Sequence, residues 1–176
     1  KGFRSSMEVA NCEFQNIFTC TGYSTKLSST AIVSVGDLIL GLPGNLTVYP
    51  LSSNGSTIIN CERGVYASFS DLLVTNCKIL NVITGVECTQ NKLLRKAMVI
   101  ESIISARKYG IRYFDNAGAL SMGAVFNSIT INGYTVNGST IGTAISVVEK
   151  SNTAGANFDI SFNSPITLID AYAGIE

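Results

Sequence analysis

Carboxylate side chains are the residues of this chain that could carry out acid–base chemistry. Glycoside hydrolysis uses two carboxyl groups, about 5–5.5 Å apart in retaining enzymes and about 6.5–9.5 Å apart in inverting ones. Glu87 and Asp115 are the first candidates for such a catalytic pair, because they lie nearest to a segment that combines basic and tyrosine side chains. A structural role is the alternative for Glu87, since it could form an ion pair with Arg112 on a neighbouring strand.

The basic and aromatic segment runs from residue 92 to residue 115. It holds six of the twelve basic residues of the chain and two interleaved tyrosines. Basic side chains bind acidic groups, and tyrosine rings can contact sugar rings. The segment therefore predicts a site for an anionic polysaccharide, and the candidate glycan-binding residues are Lys96, Arg107, Lys108, Tyr109, Arg112 and Tyr113. The alternative is a solvated edge whose charges discourage the addition of further strands.

Other kinds of chemistry lack the residues that they need. The sequence has no histidine and no CxxC pair, so it contains neither a Ser-His-Asp triad nor a zinc-binding motif. No phosphate-binding or dinucleotide-binding motif follows a strand. We therefore expect no metal and no cofactor. The net charge is zero and every apolar run is far too short to span a bilayer, so we expect no nucleic-acid partner and no membrane insertion.

A short phrase that recurs along the chain indicates how these residues are positioned. The stretch from Val9 to Ile17 returns from Val74 to Val82, and a shorter copy begins at Ile58. In each copy an Asn-Cys pair follows a strand-like run. Asparagine tolerates the left-handed backbone of a sharp corner, and stacked asparagine amides hydrogen-bond to one another. The predicted structural ladder, in which the cysteines stack as small buried residues, consists of Asn11, Asn60, Asn76, Cys12, Cys61 and Cys77.

The spacing of these phrases predicts an all-β fold. Strand-like runs rich in Val, Ile, Thr, Phe and Tyr alternate with Asn, Gly and Ser. Corner positions recur about every 25 residues, which suits one coil of a parallel β-solenoid stacked at the ordinary strand separation. We therefore predict a single-stranded parallel β-helix. A β-sandwich of the jelly-roll type is the alternative, because only 16 residues separate Asn60 from Asn76.

A Gly-aliphatic pair marks a second recurring position. Such pairs begin at Gly64, Gly85 and Gly110. Glycine suits a corner with positive φ, and the aliphatic residue would begin a new strand. If the glycines align, the side chains that point outward from successive coils are those of Tyr66, Glu87 and Arg112. This alignment would make Glu87 and Arg112 an ion pair, and the same reasoning places Glu62 over Lys78.

The strand-Asn-Cys phrase, the Gly-aliphatic corners and the surface rich in Asn, Ser, Thr and Gly together resemble the right-handed parallel β-helix. Within that fold the chain looks most like the trimeric tailspike and tail-appendage proteins of bacteriophages, over residues 7–115 more than over residues 116–176. Pectate lyases and polygalacturonases share the fold, but their His- and Asp-rich active-site motifs do not occur here. No catalytic residue is therefore carried over from either group.

The resemblance implies an extracellular homotrimer of the virion tail that recognises bacterial surface polysaccharide. Residues 1–117 would form β-helix coils, and residues 118–176, in which basic residues almost vanish, would form either further coils or a region for trimer packing and capping. Polysaccharide recognition is the leading hypothesis. A depolymerase that acts as a glycoside hydrolase or lyase through its surface carboxylates is the second, so the sequence leaves enzymatic activity open. A non-catalytic shaft or secreted adhesin is the third.

Overall fold

A computed structural model gives the chain an all-β fold. The residues that it describes are 2–3, 6–10, 12–17, 30–35, 44–49, 56–68, 70–90, 95–115, 121–127, 129–136, 139–149, 157–162, 166–169 and 173–175. Over these ranges no helix has the length and apolar character needed to cross a membrane.

The strands are short except for two that extend through a corner. In chain order they are β1 (Gly2–Phe3), β2 (Ser6–Ala10), β3 (Glu13–Gln15), β4 (Thr30–Val35), β5 (Gly44–Tyr49), β6 (Thr57–Ile59), β7 (Arg63–Ser68), β8 (Ser70–Thr75), β9 (Lys78–Gln90), β10 (Arg95–Ile100), β11 (Ile103–Asp115), β12 (Ser121–Asn127), β13 (Thr130–Asn132), β14 (Tyr134–Val136), β15 (Ser139–Ile141), β16 (Thr143–Glu149), β17 (Asn157–Phe162), β18 (Thr167–Ile169) and β19 (Ala173–Ile175).

Parallel pairing organises most of these strands into three ladders. The first ladder is a six-stranded sheet in the order β2, β5, β8, β10, β12 and β17. The second ladder contains β3, β6, the first parts of β9 and β11, β13 and β18. The third ladder contains β1, β4, β7, the second parts of β9 and β11, β16 and β19. The chain visits the three ladders in the same order each time, and we call each such set of strands a repeat.

The pairing bears on two expectations from the sequence. Among the described strands only β14 and β15 pair in antiparallel fashion, whereas a jelly roll consists of antiparallel sheets. The parallel ladders therefore argue against the jelly roll. The ladders also continue across residue 117, because β12 pairs with β10 while β13 and β16 pair with β11. The division at residues 117 and 118 stays a prediction, as does the choice between further coils and trimer packing for residues 118–176.

Aliphatic side chains stack on their register partners to form the core. The stack of the second ladder consists of Ile58, Ile79, Ile104 and Ile131. The stack of the third ladder consists of Val65, Val86, Ile111 and Ile145. All of these side chains are at most 1 % exposed. Burying one of them stabilises the fold by about 1.5–3 kcal/mol, and because side chains alternate between the two faces of a strand, the intervening positions are left for the outer surface.

The first corner, between the first and second ladders, is held by hydrogen bonds from repeat to repeat. Asn76 has the left-handed backbone expected of a sharp corner, with φ 47°, and Glu101 has the same φ at the equivalent place. The backbone N–H of Cys77 donates to Ser102 Oγ in the next repeat at 3.1 Å. A column of backbone N–H donors to carbonyl oxygens follows the corner: Thr57 to Cys12, Lys78 to Ser56, Ile103 to Cys77, Thr130 to Ser102 and Thr167 to Ile129.

The cysteines of the repeated phrase share one local contact. Each thiol donates to the carbonyl oxygen two residues earlier, at 3.3 Å for Cys12, 3.3 Å for Cys61 and 3.1 Å for Cys77. Cys61 and Cys77 are buried, whereas Cys12 is exposed. None of these three thiols, nor that of Cys88, forms a disulfide. Asn11 lies outside the described residues.

The second corner, between the second and third ladders, carries an asparagine ladder of its own. Asn16, Asn60 and Asn81 have left-handed backbones, with φ of 56°, 55° and 51°. Asn60 Nδ2 donates to Asn16 Oδ1 at 3.3 Å, and Asn81 Nδ2 donates to Asn60 Oδ1 at 2.6 Å. Side-chain amides therefore link three repeats along this corner.

The predicted stacking of Asn60 on Asn76 needs correction, because these residues lie at different corners. Both corners require a left-handed residue followed by one that points inward, so the same phrase recurs at both. The 16 residues between them separate two corners within adjoining repeats. Equivalent positions are 21 residues apart for Asn60 and Asn81, and 25 apart for Cys77 and Ser102.

The predicted stacking of Glu62 over Lys78 is wrong for the same reason. Lys78 pairs in register with Thr57 of the preceding repeat. Glu62 instead accepts, through its carbonyl oxygen, hydrogen bonds from the backbone N–H groups of Ile83 and Thr84 at 3.0 Å. The two charged residues therefore belong to different parts of the repeat.

Three glycines of the third ladder are required by lack of space. A Cβ on Gly85 would lie 2.4 Å from the carbonyl oxygen of Gly110 and 2.4 Å from Ile104 Cγ2. Gly64 and Gly110 are equally close to the next strand and to an isoleucine of the second ladder. The expectation of positive φ is wrong for all three, since Gly142 alone among the described glycines has it. Close approach of the backbone is the physical reason for glycine here.

Candidate functional site

Glu87 lies in the middle of the third ladder and is held by two arginines. Its register partners are Tyr66 on β7 and Arg112 on β11. The carboxylate Oε2 accepts a hydrogen bond from Arg63 Nε at 3.1 Å, and Oε1 lies 3.8 Å from Arg112 Nη1. The side chain of Glu87 is only 2 % exposed. The sequence predicted an outward-pointing side chain on the surface, whereas the structure buries it.

This cluster links three neighbouring strands. Burying a carboxylate is costly unless charged partners and hydrogen bonds compensate. Arg63 from β7 and Arg112 from β11 provide that compensation on either side of Glu87, and each arginine side chain keeps about a fifth of its surface exposed, 20 % and 22 %. The carboxylate is thus a structural centre, with the two guanidinium groups at the edge of solvent.

Two cations lie near the ring of Tyr109. Arg112 Cζ is 4.8 Å from the centroid of the ring, and Lys108 Nζ is 5.4 Å from it. Both distances are within the range of cation–π interaction. Lys108 is exposed, while Tyr109 and Arg112 are half-buried. A tyrosine and two cations therefore form a common surface on β11.

Arg107 adds a third cation beside this surface. Its side chain is exposed, and one guanidinium nitrogen donates to Asn81 Oδ1 at 2.9 Å. Since Asn81 in turn donates to Asn60, the guanidinium continues the asparagine ladder of the second corner. We call Arg107, Lys108, Tyr109 and Arg112 the β11 surface.

Two candidate glycan-binding residues lie away from the β11 surface. Tyr113 is 1 % exposed and packs in the core; it pairs in register with Cys88. Burial raises the pKa of the Cys88 thiol to about 12, and it raises the pKa of Tyr113 well above its ordinary value. Lys96 belongs to β10 in the first ladder, where it aligns with Gly123. The structure therefore gathers four of the six candidates.

The two candidate catalytic carboxylates are not register partners. Asp115 aligns with Gln90 on β9 and with Glu149 on β16, whereas Glu87 aligns with Arg112. At the ordinary rise of a strand, the offset between the two positions along the sheet is about 10 Å. Both oxygens of Glu87 lie against guanidinium groups. A catalytic role for Glu87 and Asp115 stays a prediction.

Arg63 is the residue of this site that the sequence analysis missed. It aligns with Thr84, which aligns with Tyr109, which in turn aligns with Thr143. The first three of these residues directly precede Gly64, Gly85 and Gly110. The position before each Gly-aliphatic pair was therefore the sequence signal for Arg63, because this position places Arg63 in the same row as Tyr109.

Comparison with known proteins gives no match. No protein-family model matches the chain, and no curated protein and no solved structure matches it. Among the residues that the structure describes, no group of three or more His, Cys, Asp or Glu side chains is arranged to hold a metal ion.

Proposed function

We propose that this chain is a right-handed parallel β-helix of the phage tail-appendage type, which recognises bacterial surface polysaccharide as one subunit of a homotrimer on the virion tail. Three parallel ladders visited in constant order support the β-helix, with steps of 44, 21 and 25 residues between equivalent positions. Crossover connections between parallel strands are almost always right-handed, which supports that hand. The resemblance in sequence supports the extracellular location and the trimer.

The β11 surface is the observation that carries polysaccharide recognition. Exposed Arg107 and Lys108 and half-buried Tyr109 and Arg112 lie together on one strand of a stacked ladder. Guanidinium groups offer several donors to the hydroxyl and acidic groups of sugars. Tyrosine adds an apolar ring with a polar end. Stacked repeats extend such a surface along the molecule, as a long polymer requires.

Two measurements test the proposal. Light scattering, in buffer and after warming with SDS, should give a mass three times that of the 18.7 kDa chain. A panel of purified capsular and O-antigen polysaccharides, immobilised and probed with the protein, should contain at least one that binds. A monomer would contradict the trimer. A trimer that binds no polysaccharide of a broad panel would favour a structural shaft.

A further inference from the structure

We propose that the β11 surface recognises an acidic sugar, whose carboxylate or sulfate group is held by Arg112 and Lys108. This inference rests on the polysaccharide recognition proposed above and specifies the class of glycan. The sequence already predicts an anionic polysaccharide, and the structure adds which side chains would hold the acidic group.

Arg112 is held in place from two sides. Its Nη1 lies 3.8 Å from Glu87 Oε1, and its Cζ lies 4.8 Å from the centre of the Tyr109 ring. A guanidinium group that is already oriented loses little side-chain entropy when it binds an anion. Its Nε is buried, so the Nη groups are the donors that would meet an oxygen of a carboxylate or sulfate. The geometry therefore prepares Arg112 to bind an acidic group at its exposed edge.

The cluster around Glu87 contains two cations and one carboxylate. Glu87 is shared between Arg63 and Arg112, with a hydrogen bond of 3.1 Å from Arg63. These three side chains together therefore carry more positive than negative charge. The carboxylate is buried while both arginines reach solvent, so an approaching ligand meets guanidinium groups first.

Lys108 supplies a second cation on the same ring. Its Nζ lies 5.4 Å from the centroid of the Tyr109 ring, which Arg112 also contacts. Lys108 is exposed, and a lysine ammonium on a flexible stem can follow an acidic group that Arg112 holds. Next to them, Ser146 and Thr143 of β16 align with Arg112 and Tyr109. Thr143 is half-buried and extends the polar row into the following repeat, whereas Ser146 is buried.

The test uses matched pairs of polysaccharides that differ only in charge. The probes are a capsular polysaccharide that contains uronic acid, the same polymer after its carboxylates have been reduced to alcohols, dextran sulfate and dextran. Titration calorimetry with the full chain should show at least about tenfold tighter binding to one acidic probe than to its neutral counterpart, as expected for hydrogen bonds between charged groups. Binding to the uronate polymer identifies a carboxylate, and binding to dextran sulfate alone identifies a sulfate.

Variants locate the binding to the β11 surface. Lys108→Gln changes an exposed side chain and should weaken binding of the acidic probe about tenfold, while binding of the neutral probe does not change. Arg112→Gln should weaken it at least as much, with folding checked by circular dichroism. Lys78→Gln is the matched control, because Lys78 is exposed on the second ladder, and it should have no effect.

Each failure has a distinct meaning. Equal binding of the acidic polymer and its reduced form would overturn the acidic-sugar inference and leave polysaccharide recognition standing. An equal loss of affinity in Lys78→Gln and Lys108→Gln would also overturn it, because the acidic polymer would then be attracted by the overall charge of the protein and not by the β11 surface. If no probe and no polysaccharide of the wider panel binds, both the inference and the proposed function fail.

Discussion

The side-chain amide of Asn81 donates a 2.6 Å hydrogen bond to Asn60, which lies 21 residues earlier in the sequence and one repeat away in the structure. Both residues have left-handed backbones. Each asparagine therefore serves twice, since it permits the corner and links it to the neighbouring repeat. The two contributions can be separated by substitution.

Replacing Asn60 should distinguish backbone strain from the lost hydrogen bonds. Asn60→Ala removes the amide and places an alanine at φ 55°, where a residue other than glycine or asparagine costs about 1–2 kcal/mol. Asn60→Gly removes the amide alone. We expect the alanine variant to lose about 1 kcal/mol more of the free energy of unfolding in urea than the glycine variant. Equal losses would mean that strain contributes nothing at this corner.

Relieving strain at Glu101 should stabilise the protein. Glu101 is exposed and has φ 47° at the place where the previous repeat has Asn76. Glu101→Asn should therefore raise the free energy of unfolding by about 1 kcal/mol, because asparagine tolerates this conformation better than glutamate. Thermal unfolding measures the effect, and Glu13→Asn, at an exposed strand position, is the control that should gain nothing. A midpoint that does not rise would argue against strain.

Adding one methyl group to a glycine of the third ladder should be severely destabilising. In Gly85→Ala the new Cβ would lie 2.4 Å from both a backbone oxygen and an isoleucine methyl, so strands must move apart. We expect a loss of about 3 kcal/mol or more in urea unfolding, at or beyond the upper end for overpacking. Gly174→Ala is the matched control, since its nearest contact would be 3.4 Å from a leucine side chain. A similar cost for both variants would refute the close approach.

Removing the negative charge of Glu87 should destabilise the fold whether or not the chain is an enzyme. Glu87→Gln leaves Arg63 and Arg112 without the buried carboxylate that they share, and breaking such a cluster costs about 3 kcal/mol. Urea unfolding measures the loss. Glu13→Gln, at an exposed position, should change stability by less than about 0.5 kcal/mol. A neutral Glu87→Gln would contradict the structural role.

The same variant bears on the depolymerase hypothesis. If Glu87 and Asp115 were catalytic, replacing both would abolish the release of reducing ends from a polysaccharide that the protein still binds. Asp115→Asn alone provides the sharper test, because it leaves the Arg63–Glu87–Arg112 cluster in place. Cleavage that survives in Asp115→Asn would exclude this pair as the catalytic residues.

Alkaline pH should weaken the fold through its buried thiols. Burial raises the pKa of Cys77 to about 11, although hydrogen bonds from the corner oppose the shift. The unfolded chain loses this proton near its ordinary pKa of about 8.5. The contribution of Cys77 to the free energy of unfolding is therefore complete below about pH 8.5, and it falls by about 1–2 kcal/mol as the pH rises towards 10. Unfolding at pH 7 and pH 10 should show a smaller fall in Cys77→Ala, whereas Cys12→Ala, which changes an exposed cysteine, should match the wild type.

Much of the local structure could be predicted from the sequence, whereas its register could not. The left-handed corners at Asn60 and Asn76 follow from the preferences of asparagine, and the neighbouring positions of Glu87 and Arg112 follow from aligning glycines. The sequence placed Asn60 at the same corner as Asn76, which is wrong. The two corners could not be told apart because both require a left-handed residue followed by one that points inward. Hydrogen bonds and strand pairing from one repeat to the next distinguish the two corners.

The candidate site was predicted in part, for a similar reason. Alternation along β11 would have placed Tyr113 on the same face as Ile111 and therefore in the core. Arg63 stands directly before a Gly-aliphatic pair, which is a local signal, but its contact with Glu87 depends on the register between two repeats. Burial of Glu87 depends on both arginines at once. Contacts that join three repeats are the part that single-residue preferences do not encode.

The hairpin of β14 and β15 lies between β13 and β16 in the sequence. Despite this insertion, β13 and β16 both pair with β11. Alignment is dictated by the underlying layer, and the length of the intervening bend has no part in it. Such a framework can therefore accept residues inserted at this bend, a displayed peptide for example, without a change in how β13 and β16 pair with β11.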